Sequence, residues 1–114
     1  MTDVDIEYQD KIPIFILNPT FQYFFDSMQI KKYLGNESMN ISGEIIFDLS
    51  NFLRVDASLL NHLTELISEF KNRVKRFGFV IPKEVEIEGL KIKLIDDLIE
   101  IYETKYEAVY NLLN

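Results

Sequence analysis

The stretch IIFDLSNFLRVDASLLNHLTELISEF, residues 45–70, changes its hydrophobic period part-way along, and that change constrains everything built around it. Ile45-Ile46-Phe47 is a short apolar run of β-branched and aromatic residues, the composition of a buried strand. Asp48-Leu49-Ser50-Asn51 breaks the run with side chains that bond their own backbone and favour turns. A second apolar patch, Phe52-Leu53 with Val55, leads to Asp56. Beyond it Leu59, Leu60, Leu63, Leu66, Ile67 and Phe70 recur at three- and four-residue spacing, the stripe of an amphipathic helix. Asp56 stands one turn ahead of that stripe, where a carboxylate accepts otherwise unpaired backbone N–H groups and complements the helix dipole. The expectation is strand, loop, capped helix.

The flanking chain supplies more strands and helices. Val4-Asp5-Ile6-Glu7-Tyr8 alternates apolar and polar, as a half-buried strand does. Gln9-Asp10-Lys11 reads as a turn and Ile12 to Leu17 as the partner strand, giving an N-terminal hairpin. Pro13 lacks a ladder donor, which places it at a strand start or on an edge. Asn18-Pro19-Thr20 ends the strand. Phe21, Phe24, Phe25, Met28 and, after a phase slip, Tyr33 and Leu34 mark a helix stopped by Gly35-Asn36. Residues 35–44 form a polar loop. Phe77 to Ile81 reads as a strand punctuated by Pro82. Val85, Ile87, Leu90, Leu94 and Ile95 give a weaker helical signal, with Gly89 a local liability. Leu98 to Tyr102 reads as a short strand and Tyr106 to Leu113 as a last helix.

Strands alternating with helices after a hairpin imply an α/β fold with a mixed sheet: one domain over residues 1–114, about four to five strands and about four helices. Right-handed crossovers place the Asp56 loop at the carboxyl end of the strand beginning near Ile45. Open α/β sheets put their ligand sites there.

Asp48-Leu49-Ser50 followed by Val55-Asp56-Ala57-Ser58-Leu59-Leu60 resembles the core of STAS domains, the family of bacterial anti-sigma-factor antagonists and of sulfate-transporter cytoplasmic tails. That family reads D-L-S, a few residues, then hydrophobic-D-S-S/T/A-G-L-G running into a helix. Phe77-Gly78-Phe79-Val80-Ile81 and residues 90–108 continue the likeness, which spans roughly residues 43–113. The resemblance implies a STAS-like sheet and a non-catalytic module of bacterial transcription signalling. Its partner-binding face would comprise Asp48, Ser50, Asn51, Asp56, Ala57, Ser58, Leu59, Asn61 and His62. The partner implied is a protein of the anti-sigma or serine-kinase type. A STAS subunit of a lipid-transport or stress-sensing assembly is the alternative, and a small-molecule-binding domain a further one.

Three departures from the family pattern stand out. In phosphoregulated members the residue directly after the aspartate is the Ser or Thr that a partner kinase phosphorylates; here it is Ala57, which has no hydroxyl. Ser58 is the nearest substitute acceptor, but one step along a helix turns a side chain by about 100°. Its plainer role is to support the first helical turn. The glycines of G-L-G are replaced by Leu59 and Asn61, whose side chains cover a surface that glycine leaves open to a partner backbone. Pro19-Thr20-Phe21-Gln22 stands roughly where the family has an acidic turn.

Charge and composition narrow the partners. A net charge of −7 argues against nucleic acid, whose binding depends on Lys and Arg at phosphates, and against an anionic membrane surface. Runs such as Ile14 to Leu17 are too short to span a bilayer. The absence of cysteine and the acidic MTDVDIEYQD start fit a cytoplasmic protein. His62 has no second His or Cys with which to hold a transition metal, so no metal or cofactor is expected. Lys71, Arg73, Lys75 and Arg76 read as a solvated helix end, and Asp96-Asp97 as a turn. Phe21, Tyr23, Phe24 and Phe25 exceed what one helix face buries, which makes the first helix a candidate docking or homodimer surface.

Overall fold

A computed structural model of the chain describes residues 4–21, 23–36, 43–88 and 99–113, with the backbone alone at 23–26, 88 and 99. The alternating N-terminal segment forms the hairpin: strand β1, Val4–Gln9, and strand β2, Ile12–Leu17. Asp10 and Lys11 join them with φ of 51° and 69°. A two-residue turn with both residues left-handed matches the twist of a hairpin, and aspartate tolerates that backbone better than most residues. Helix α1 (Tyr23–Gly35), β3 (Glu44–Asp48), β4 (Arg54–Asp56), α2 (Ala57–Ser68), β5 (Arg76–Val80), β6 (Glu86–Glu88), β7 (Ile99–Tyr102) and α3 (Lys105–Leu113) follow.

Five strands make a mixed sheet in the order β1-β2-β3-β5-β7, antiparallel in the hairpin and parallel elsewhere. β4 and β6 pair in parallel as a separate two-stranded ribbon. Strand β3 lies between β2 and β5 and is buried on both faces, which explains its unbroken apolar run. Ile45 and Phe47 enter one core with Ile30 and Leu34 of α1 and Leu60, Leu63, Leu66 and Ile67 of α2. Ile46 enters the other, with Ile14, Val80 and Ala108, Val109 and Leu112 of α3. The layers are therefore α1 and α2, the sheet, and α3.

Within the first core Phe15, Phe47 and Phe79 are direct partners across three adjacent strands. Their ring centroids lie 5.6 and 5.7 Å apart, a spacing at which aromatic pairs attract beyond simple burial. On the opposite face Gly78 gives way to a side chain: a Cβ there would meet the Tyr102 ring at 3.1 Å and the Glu100 carbonyl oxygen at 3.3 Å. Gly43, at φ +98°, receives the Lys75 and Arg76 N–H groups on its carbonyl at 2.7 and 3.3 Å, in a conformation other residues rarely adopt.

Several expectations need correction. The patch leading to Asp56 is not simply loop; Arg54–Asp56 is a strand, because β6 lies alongside to pair with it. Val85 and Ile87 do not begin a helix: Val85 is in the turn after Pro82 and Ile87 is in β6, where a partner strand overrides a weak period. Leu90, Leu94, Ile95 and Asp96-Asp97 lie outside the described residues, as do the Tyr23, Phe24 and Phe25 side chains; three helices are seen among the described residues. Pro13 is second in β2, a strand start but not an edge. The basic cluster is not merely a solvated turn. The Arg73 guanidinium donates to the carbonyls of Leu34 and of Asn36, the latter at 2.9 Å, closing the carboxyl end of α1. Arg76 grips both Glu100 oxygens at 2.8 and 3.0 Å and reaches the Leu112 carbonyl of α3 at 3.3 Å.

Adding a methyl at Gly78 forces either the Tyr102 ring or the β7 backbone to move. We expect Gly78→Ala to lose about 1–3 kcal/mol in urea unfolding. Tyr102 and Lys105 give an alkaline signature. Burial, then the Glu100 charge and hydrogen bond, raises the Tyr102 phenol, and the hydrogen bond to Glu7 chiefly raises the Lys105 ammonium. Both folded values exceed the unfolded ones, so this stabilisation is whole below about pH 10 and is lost as pH rises through the folded values. Unfolding free energy should fall above that pH, and fall less in Tyr102→Phe.

Candidate partner-binding site

β3, β5 and the strand-end Asn18 together bring the loop after β3 to the carboxyl rim of the sheet. Asp48 ends β3, nearly buried, and its Oδ1 accepts the Ser50 N–H at 2.9 Å. An aspartate that bonds backbone two residues on turns the chain sharply. The Leu49 N–H donates to the Val80 carbonyl at 2.9 Å, carrying the β3–β5 ladder one residue past the strand, while its side chain enters the first core. Phe52 N–H closes the turn onto the Leu49 carbonyl at 3.1 Å. The Asn51 side-chain amide donates to Asn18 Oδ1 at 3.2 Å, tying the loop to the end of β2.

From there the chain runs through β4 into α2. Leu53 accepts the Glu86 N–H on its carbonyl at 3.0 Å, and Arg54 and Glu86 form an exposed ion pair at 3.3 Å. Val55 is buried between two exposed neighbours, Arg54 and Asp56. Asp56 has extended backbone and its Oδ1 accepts the Leu59 N–H at 2.8 Å, the side-chain cap that its position suggested. Leu60, Leu63, Leu66 and Ile67 seat α2 on the sheet.

The candidate residues thus share one rim. Asp48, Ser50 and Asn51 come from the loop; Asp56, Ala57, Ser58, Leu59, Asn61 and His62 come from the start of α2 and the residue before it. They are not equally presented. Ser50, Asn51, Asp56 and Ser58 are exposed; Ala57, Leu59, Asn61 and His62 are half-buried, with Leu59 against the core margin. Asn18 and Leu53 belong to the same rim but were absent from the sequence-derived set. Asn18 reads only as a strand end, and Leu53 as part of an apolar patch, until the fold shows one bonded to Asn51 and the other turned outward. Among the described residues no group of three or more His, Asp or Glu side chains could hold a metal ion, and no helix is long and apolar enough to cross a membrane.

Solved structures with this architecture include an anti-sigma-factor antagonist from Mycobacterium paratuberculosis, with TM-score 0.65 and 16% identity over 97% of this chain and 93% of that one. The solution structure of the protein TM1081 matches with TM-score 0.65 and 21% identity, covering 92% of this chain and 84% of that one. An anti-sigma-factor antagonist (STAS) domain protein from Planctomyces limnophilus matches at 0.59 and 17% identity, over 99% and 100%. No family model and no curated protein matches the sequence. The chain has the fold of a STAS domain, as the resemblance implied.

Because Asp56 caps α2 with its own carboxylate, Asp56→Ala should cost about 1 kcal/mol in denaturant unfolding, and Asp56→Asn much less. An equal loss in both would locate the contribution in charge and not in the capping bond.

Proposed function

We propose that this chain is a non-catalytic binding module of the anti-sigma-factor-antagonist kind, which docks a bacterial regulatory protein of the anti-sigma or serine-kinase type on the rim formed by the loop after β3 and the start of α2. The observation that supports this reading most is the shared rim itself. Two aspartates are spent on holding backbone, Asp48 on Ser50 and Asp56 on Leu59, leaving small polar side chains facing out from a fixed frame. Small polar side chains on a fixed frame suit recognition of another protein.

Position 57 sets how the contact is regulated. The family resemblance puts the phosphoryl acceptor there, and alanine cannot accept one. Elsewhere a phosphate placed here would add charge and bulk beside the Asp56 cap and break the contact. In this chain the docking is constitutive with respect to that switch.

The test uses a purified anti-sigma-factor kinase from the same genome. Wild-type chain should bind it, bind it equally after incubation with ATP, and gain no phosphate by intact mass. Ala57→Ser should gain one phosphate and then release the kinase. Stoichiometric phosphate on Ser58 of the wild type, or no binding at all, overturns the reading.

A further inference from the structure

Leu53 is the most exposed large apolar side chain among the described residues, at 87%, yet it stands on a fixed backbone. Asn51, two residues before it, is bonded to Asn18 at 3.2 Å; Phe52 is closed onto Leu49 at 3.1 Å; its own carbonyl holds the Glu86 N–H at 3.0 Å; and Arg54 after it pairs in register with Glu86. Single exposed leucines are ordinary on protein surfaces and mean little alone. A leucine projected from a loop secured on both sides differs, because docking it immobilises almost no further backbone. Beside it stands the exposed Arg54–Glu86 ion pair at 3.3 Å. An apolar centre within a polar rim is the arrangement in which a few buried contacts carry most of an association.

We propose that Leu53 is the apolar anchor of the docking rim, inserting into an isobutyl-sized socket on a folded protein partner whose socket is bordered by Lys or Arg. The sign of that border follows from the neighbouring strand ends, where the exposed carboxylates of Asp56 and Glu86 stand with the guanidinium of Arg54 on a chain of net charge −7. This rests on the docking function proposed above and names the contact that selects the partner.

The experiment measures binding of the full chain to the same purified anti-sigma-factor kinase by surface plasmon resonance. Leu53→Ala should weaken binding by about tenfold or more, mostly through faster dissociation, and Leu53→Asp further still. Thermal unfolding of both variants should match the wild type, because the replaced side chain contacts mainly water. Raising salt should slow wild-type association, as a basic border on an acidic rim requires. A Leu53→Asp chain that binds as the wild type does, while Ala57→Glu abolishes binding, overturns the anchor and leaves the docking rim standing. If Leu53→Asp and Ala57→Glu both bind as the wild type does, the rim itself is the wrong surface and both proposals fall.

Discussion

Everything at the candidate rim depends on a strand buried on both of its faces. β3 sends Ile45 and Phe47 to one core and Ile46 to the other, so a slip of one residue would exchange the two sets and leave neither core filled. Burying each such side chain contributes about 1.5–3 kcal/mol, enough that no alternative register competes. Parallel pairing then fixes Phe47 beside Phe79 and Asp48 beside Val80. The Leu49–Val80 hydrogen bond carries that register into the loop. Packing in the middle of the sheet thereby decides where a polar turn appears at its end.

The same logic continues into α2. Its buried leucines set the rotation of the helix, and Asp56 sets its beginning. Between Asp48 and Asp56 the chain would be a free excursion but for the β4–β6 ribbon and the Asn51–Asn18 bond, which fasten it from two sides. Both carboxylates in the loop are used up in holding backbone. Beside them the side chains of Ser50, Leu53 and Ser58 also face outward.

Much of this was legible in the sequence because the signals were local. The hairpin, β3, β5 and α2 each carry their own hydrophobic period, and Asp56 stands at the one position from which a cap can reach Leu59. What was not legible depended on distant partners. Arg54–Asp56 is too short to show a period, and it is a strand only because β6 pairs with it. Val85 and Ile87 fit a helical spacing as well as a strand until β4 is set beside them. Arg73 and Arg76 sit in a basic run that suggests water, while their partners, the end of α1 and Glu100, lie far along the chain. Asn18 is recognisable as part of the rim only through Asn51.

The missing hydroxyl at position 57 bears on more than phosphorylation. The start of α2 already holds one negative charge, the Asp56 carboxylate, placed where the helix dipole favours it and bonded to Leu59. A dianionic phosphate on the adjacent residue would crowd that carboxylate and compete for the same backbone donors. With alanine there, the charge at the helix start is constant and the cap is undisturbed. In the docking proposed above, discrimination between partners would then rest on shape and on fixed side chains, not on a charge that is added and removed. That is the circumstance in which, under the same proposal, an outward leucine on a fastened loop, flanked by Arg54 and Glu86, would have the most influence on which protein is bound.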